Sequence, residues 1–310
     1  MRLPAVLKRI LVIRGGAIGD FVLTLPAIKL LRDSFPQAHL EILGHPPIAA
    51  LAERRFYAHA IRSLESGSIA SFFARNAVLS AEWAGYFASF DLILSYLFDP
   101  DGIFQENLKR SGIGTLITGP SKPVGGCHAT LQLAQPLEQL GLFLEKRGAI
   151  IYPAEEDREF ARDFLGGAGP SVIALHPGSG SEKKNWPIER WTELGEYLFS
   201  NGSKILVVGG EADAERLRLL GMAWKDKPVR LSWSLALPHL AALFEGSTFV
   251  GHDSGISHIA AAVGARSVLL FGPTDPAVWA PVNESVTVLR TADQNLDSLR
   301  VADVISALQR

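Results

Sequence analysis

Between Val250 and Ala265 the chain reads VGHDSGISHIAAAVGA. The run Asp253-Ser254-Gly255, then Ser257-His258, crowds an acid, two hydroxyls, a glycine and a histidine into the first turn of an otherwise apolar helix. Two chemistries fit. Such residues cap helices, because a side-chain oxygen can accept one of the unpaired N–H groups of the first turn. The same turn also binds anions, phosphate above all, through its free N–H groups and the positive end of the helix dipole. His258 lies four residues after Ser254 on one helix face, where a hydrogen-bonded structural histidine is the plain alternative to a ligand contact.

Three other places carry comparable chemistry. Asp20 stands at the start of the first helix, after Arg14-Gly15-Gly16-Ala17-Ile18-Gly19. An acid there is ordinarily a cap. It is also an ionised carboxylate at the rim of a sheet, which is what a general base needs if an acceptor hydroxyl reaches it. Lys183-Lys184 follow the small-residue run HPGSGS and precede Trp186-Pro187. A solvated lysine pair is the plain reading. A loop of small residues also lets a ligand approach the backbone, and a lysine there can neutralise a diphosphate as a point charge. Asp99-Pro100-Asp101 spells a metal-binding D-x-D, but Asp and Pro are common in turns, and the tripeptide is discounted as a site. No second His or Cys stands at metal-ligand spacing, so no metal is expected.

Several activities are disfavoured by pattern. G-x-x-x-x-G-K-[ST] is absent, which excludes a P-loop nucleotidase. G-x-S-x-G is absent, which argues against an α/β serine hydrolase. A dinucleotide fingerprint would need a glycine at Arg14, and its acid would have to be Glu41, inside the second strand.

The elements that must position these residues alternate. Ile10–Ile13 is a continuous apolar run, as in a strand buried on both faces of a parallel sheet. A helix follows from Asp20 to about Phe35, with Pro36 ending it. His39–Gly44, Asp91–Phe98 and Gly114–Gly119 are further strands. The middle is less regular: a helix within SKPVGGCHATLQLAQPLEQLGLFL, a break at Tyr152-Pro153, then a charged helix with a Gly/Pro tail. From SVIALHPGSG onward strands and helices alternate again, and NLDSLRVADVISALQR has helical spacing. The order implies βαβ units, parallel sheets and two α/β domains in tandem. Ligands on such sheets bind at the carboxyl ends of the strands. The loops Arg14–Asp20, His176–Pro187, Gly209–Asp213, His252–His258 and Gly272–Pro276 are expected there.

The 310 residues, 47% hydrophobic and 20% charged, allow two ordinary domains with sizeable cores. A formal net charge of -2 argues against a nucleic-acid protein. Cys127 is the single cysteine, so no intrachain disulfide forms, and a reducing cytoplasm fits. Lys8-Arg9 cut the N-terminal apolar stretch, unlike a signal peptide, and no uninterrupted run is long enough to span a bilayer.

The motifs RGGAIGDFVLTLPAIKLLR, HPGSGSEKKNWPIERWTEL, VVGGEADAER, GHDSGISHIAAAVGA and FGPTDP occur in this order. Together the set resembles glycosyltransferase family 9, the lipopolysaccharide heptosyltransferases, over nearly the whole chain. The resemblance implies a GT-B fold, an α/β architecture of two Rossmann-like domains with parallel sheets facing across a cleft. It implies an acceptor-binding domain over 1–153, a linker helix over 154–170, a nucleotide-sugar-binding domain over 171–294 and a closing helix over 295–310. It implies inverting, metal-independent transfer with ADP-heptose as the usual donor and no cofactor. Asp20 matches the family's general base and Lys184 its diphosphate-contacting lysine. Ser179 and Gly180 match small or hydroxyl residues near the phosphates. Asp253, Ser254, Gly255 and His258 match the donor motif. Glu211 and Asp213 fall in the acidic turn associated with the ribose, and Leu235 near the start of the adenine pocket.

The helix after Asp253 then serves a diphosphate: Gly255 allows close approach, Ser254 donates, and Asp253 orders the loop or meets sugar hydroxyls. Asp20 takes the acceptor's proton, and Lys184 with the helix N-terminus stabilises the departing nucleoside diphosphate. On the acceptor side, Gly16 and the arginines Arg54, Arg55 and Arg62 are candidate contacts to a phosphorylated lipid headgroup, with a solvated basic face as the alternative. Here the sequence departs from the family: LILSYLFDPDG replaces a common acidic "DLQ"-like turn. The expected partners are a nucleotide-sugar donor and a glycolipid or glycan acceptor, with no nucleic acid. The expected location is cytoplasmic, a peripheral contact at the inner face of the inner membrane being left open. A GT-B transferase for another sugar nucleotide and a non-catalytic nucleotide-sugar-binding module are the alternatives.

Overall fold

The computed structural model describes residues 7–166 and 172–310. The Gly/Pro tail at 167–170, Ser171 and the first six residues lie outside the described residues. Two compact units divide between Arg147 and Gly148.

The first unit runs β1 (Arg9–Arg14), α1 (Ile18–Ser34), β2 (His39–Gly44), α2 (Pro46–Ala49), β3 (Ala60–Ser63), α3 (Ala81–Ala88), β4 (Leu92–Ser95), α4 (Ile103–Arg110), β5 (Thr115–Thr118) and α5 (Ala129–Ala134). Its described strands form a parallel sheet in the order β3-β2-β1-β4-β5. Ile10 to Ile13 are fully buried because β1 is the central strand, with helices over both faces. The order reverses at β1, between β2 and β4, so the loop after Arg14 opens at the topological switch.

The helix after β1 starts at Ile18, two residues before the position expected from Asp20 as a cap. Ala17 is the flanking residue, and Asp20, in the third helical position, reaches back to it: Oδ2 accepts the Ala17 N–H at 3.1 Å. The acid caps the helix from inside its first turn.

The second unit runs α6 (Glu155–Leu165), β6 (Val172–His176), α7 (Ile188–Ser200), β7 (Lys204–Gly209), α8 (Ala214–Ala223), β8 (Val229–Trp233), α9 (Leu237–Phe244), β9 (Thr248–His252), α10 (Gly255–Ala262), β10 (Arg266–Phe271), α11 (Pro276–Trp279), β11 (Val286–Arg290) and α12 (Val301–Gln309). Its strands form a parallel sheet in the order β11-β10-β9-β6-β7-β8. The switch lies between β6 and β9, and the two polar loops His176–Pro187 and His252–His258 leave these neighbouring strands. Trp186 and Trp191 are fully buried beneath them, edge to face at 5.4 Å. Truncating either would cost roughly 3–5 kcal/mol, so the loop carrying Lys184 ends on a firm anchor. Helix α6 packs on α9, where Arg158 donates to both oxygens of Glu245 at 2.7 and 2.9 Å.

Among the described residues, no helix is long and apolar enough to cross a membrane.

Candidate active site

In the first unit, the site centres on Asp20. Beneath it lies Arg14, only 2% exposed, whose guanidinium donates to Thr24 Oγ1 at 3.0 Å, the Ser121 carbonyl at 2.8 Å and the Asp20 carbonyl at 3.2 Å. Burial works against the Arg14 charge, and the neighbouring Asp20 carboxylate, 3.7 Å away, supports it. The Asp20 side chain is 28% exposed. One oxygen is held by the helix start, and the carboxylate remains open to solvent. Gly16 has φ +94, and a Cβ built there would lie 2.9 Å from Asp20 Oδ2. Glycine is required at this position for the turn and for the carboxylate.

The arginines expected on the acceptor side are placed differently from one another. Arg54 is exposed, in a left-handed backbone conformation with φ 53. Arg55 donates to the carbonyls of Ala50 and Glu53. Arg62 lies over the Tyr86 ring at 4.2 Å and pairs with Glu82 at 3.7 Å. Glu41, the acid considered for a dinucleotide ribose, is buried against Arg9, His39 and the Tyr86 hydroxyl. Asp99 caps α4, accepting the N–H groups of Phe104 and Gln105. Phe98 beside it is 78% exposed.

In the second unit, the loops after β6 and β9 meet. Lys184 Nζ lies 2.6 Å from Asp253 Oδ2. Asp253 is nearly buried, and the lysine is about one third exposed. Ser254 is the N-cap of α10, accepting the Ser257 N–H, and Gly255 is the first residue of the helix. Ser257 turns its hydroxyl back to the His252 carbonyl. His258 is buried in the same turn. Ser179 bonds within its own loop, its hydroxyl 2.7 Å from Asn185 Oδ1 and 2.9 Å from the Ser181 carbonyl. Gly180 is exposed at φ +74.

The loop after β7 holds Glu211 and Asp213. Glu211 is exposed, whereas Asp213 is buried, accepting the Gly210 N–H at 2.9 Å and facing His176. A Cβ at Gly178 would fall 1.6 Å from Asp213 Oδ1, so these two loops interlock only around a glycine. At the end of β8, Trp233 is 49% exposed, Ser234 has φ 46, and Leu235 follows half-buried.

Two residues of this site escaped the sequence reading: the histidines that close the two central strands. His252 is fully buried. Its Nε2 accepts the Trp186 N–H at 2.8 Å, and its Nδ1 donates to the Gly178 carbonyl at 3.2 Å. Burial pushes it down to about 3, so it is neutral, with the proton on Nδ1. It ties the start of the HPGSGS loop to its end. His176 does the same between the loops after β7 and β9. The signal present in the sequence was positional: a histidine as the last residue of each of two apolar strands, just before a polar loop.

These loops gather a cation, free N–H groups and small residues where two strands diverge, and that assembly suits a diphosphate. The family profile described as "Glycosyltransferase family 9 (heptosyltransferase)" matches residues 130–307. Lipopolysaccharide heptosyltransferase 3 of Escherichia coli is 24% identical over 331 residues, covering 94% of this chain and 96% of its own. Among solved structures, a glycosyltransferase family 9 protein from Veillonella parvula superposes with a TM-score of 0.82 at 21% identity, covering 100% of this chain and 97% of that one. The E. coli ADP-heptose lipopolysaccharide heptosyltransferase II superposes at 0.76 with 18% identity, covering 97% and 98%.

Proposed function

The chain belongs to glycosyltransferase family 9, with the GT-B fold, and on that premise we propose that it moves a heptose from ADP-heptose to a lipopolysaccharide-core or related envelope acceptor, with inversion. The observation that carries the donor half is the Lys184–Asp253 pair, set beside the first turn of α10 at the sheet's switch point. A diphosphate lying there meets the ammonium and the free N–H groups of one helix end. Asp253 holds the lysine in place and offsets its charge.

The reaction is a displacement at the anomeric carbon through an oxocarbenium-like transition state. The acceptor oxygen forms its bond to that carbon as the bond to the diphosphate oxygen breaks. Asp20 accepts the acceptor's hydroxyl proton; its solvent-facing carboxylate and fixed position in the first turn of α1 support that role. ADP leaves with the bonding pair, and its growing negative charge is met by Lys184 and α10. Glu211 and Leu235, at the exposed edge of the second unit, are assigned to the ribose and adenine. Asp213 acts on the donor from behind, through the residues it holds. Arg54 is assigned to an acidic group of the acceptor. The enzyme works in the cytoplasm, where nucleotide sugars are made.

A second reading keeps the chemistry and changes the acceptor. It is favoured by Arg55 and Arg62, which are engaged with Ala50, Glu53, Glu82 and Tyr86. Ligands of the native state raise its apparent stability, so a thermal-shift panel of nucleotide sugars tests the donor. ADP-heptose and ADP should stabilise the protein more than UDP sugars or NADH. A response to UDP alone would overturn the donor assignment. Radiolabelled heptose transfer to lipopolysaccharide core or to a soluble glycan then separates the acceptors.

A further inference from the structure

Gly15, the residue after β1, is ringed by side chains from three other loops of the first unit. A Cβ built on it would lie 3.5 Å from Leu97, 3.7 Å from Leu64 and 4.0 Å from His45 Nε2. These loops follow β4, β3 and β2, so they close on the switch point beside the turn that carries Asp20. Leu64 and Leu97 are the apolar part of the ring, and Nε2 is its polar atom.

The histidine is fixed from both ends. Gly44, just before it, packs against β1, where a Cβ would fall 2.7 Å from the Arg14 carbonyl oxygen. Pro46-Pro47 follow, and the His45 carbonyl accepts the N–H groups of Ile48 and Ala49 at 3.0 and 2.9 Å. On the imidazole, Nδ1 lies 3.0 Å from Glu65 Oε1. Glu65 is set in turn by its own N–H, which donates to Ser63 Oγ at 3.1 Å. A carboxylate only accepts, so the hydrogen between the two side chains sits on Nδ1. That bond decides which ring nitrogen remains for a ligand. Nε2 has no hydrogen-bond partner among the described residues, and the side chain is 36% exposed.

We infer that His45 is an acceptor-contact residue: its Nε2 binds a hydroxyl of the acceptor saccharide, and Glu65 orients the ring for that contact. The inference rests on the transfer reading proposed above. A hydroxyl can donate to the Nε2 lone pair or accept Nε2–H, so the contact needs no change in the charge of the ring. An anionic group fits less well, because the carboxylates of Glu65 and Asp20 flank the position. Asp20 Oδ2 lies 2.9 Å from the place of a Cβ on Gly16, the next residue of the same turn. With a Cα spacing of about 3.8 Å, Nε2 and the Asp20 carboxylate stand within about 14 Å of each other. One short saccharide covers that span, so Nε2 can hold the sugar while Asp20 meets its reacting hydroxyl.

The probe is the heptose-free, delipidated core saccharide of lipopolysaccharide, with ADP-heptose as donor. His45→Phe keeps a ring and removes both nitrogens at a partly exposed position, and urea unfolding checks that its fold holds. The KM for the saccharide should rise by about threefold to tenfold, the worth of one hydrogen bond. The kcat should change little and the Kd for ADP-heptose not at all, since ground-state contact with the acceptor is what is lost. His45→Gln, whose amide reaches the place of Nε2, should recover most of the loss. Glu65→Ala should raise KM by less, and adding it to His45→Phe should raise KM no further, since the carboxylate acts through the ring. NMR of histidine-labelled wild-type protein reads the contact directly. Saturating saccharide in the presence of ADP should shift the Cε1–H resonance that His45→Gln lacks. An unchanged KM in folded His45→Phe, or a His45 resonance that the saccharide leaves in place, overturns the inference and leaves the transfer reading standing. Wild-type protein that transfers heptose to no core saccharide removes that acceptor and the inference together.

Discussion

Lys184 Nζ lies 2.6 Å from Asp253 Oδ2, although 69 residues separate them in the chain. Each comes from a loop leaving one of two adjacent central strands, so the pair bridges the point where the strand order reverses. The pair is mostly shielded from solvent, and removing one partner exposes the charge of the other.

That asymmetry gives the first prediction. Lys184→Ala removes a charge-assisted contact to the diphosphate and leaves the Asp253 carboxylate to repel it. The Kd for ADP-heptose should rise by about tenfold to a hundredfold. The double variant Lys184→Ala with Asp253→Ala should bind better than Lys184→Ala alone. Titration calorimetry on the three proteins decides it, and additive losses would remove the clamp.

Asp20→Asn separates capping from catalysis. Asparagine can still accept the Ala17 N–H, so stability should change by about 1 kcal/mol or less. Transfer should fall by roughly a hundredfold or more, since the amide cannot take a proton. ADP binding should stay near wild type. A folded variant with nearly full transfer would sink the general-base assignment.

At Gly16 the same carboxylate is perturbed from outside. Gly16→Ala places a methyl against Asp20 Oδ2 in a backbone conformation that costs an L-residue about 1–2 kcal/mol. Denaturant unfolding should register a loss of that order. Transfer should drop well beyond what the remaining folded fraction accounts for, because the carboxylate is displaced.

The pH dependence of stability follows from His252. Its native pKa is pushed down to about 3, while in the unfolded chain it returns to about 6.5. The unfolded state binds the proton that the native state refuses. The stability is therefore fully present above about pH 6.5 and is lost as pH falls toward 3, with a slope of up to about 1.4 kcal/mol per pH unit. His59, which burial also holds below its ordinary value, acts in the same sense. Urea unfolding at neutral pH and one to two units lower, where ordinary carboxylates contribute little, should show the slope. It should be shallower in His252→Gln, and an unchanged slope there would contradict the assignment.

The central strands were legible in the sequence because burial on both faces leaves a continuous apolar run: β2 was read as His39–Gly44, the residues it occupies. The strands missed, β3, β8 and β11, are all at sheet edges: Ala60–Ser63 has no buried position and Val229–Trp233 has one, at Ser232, so neither shows an apolar run. Helix α1 begins earlier than expected because an aspartate can satisfy an N–H from the third helical position as well as from the cap. The residues of the β1, β6 and β9 loops were found from local composition. His176 and His252 were not, because their meaning lies in partners 37 to 78 residues away, beyond the reach of any local spacing.

The edge that ends in Glu211, Trp233 and Leu235 differs in kind from the loops it adjoins. Around the switch point, Gly178, Asp213, His176, Ser254, Lys184 and Asp253 are each fixed by another of the set, so a change in one is felt by several. Glu211 and Trp233 stand exposed on a turn and at the end of an outer strand. A change at either can therefore be made without disturbing the interlocked loops around the switch point. If the rim meets the nucleoside as proposed, a lineage of such enzymes can change the nucleoside it recognises while the interlocked loops are inherited whole, and diversity among its descendants should accumulate along this outer rim first.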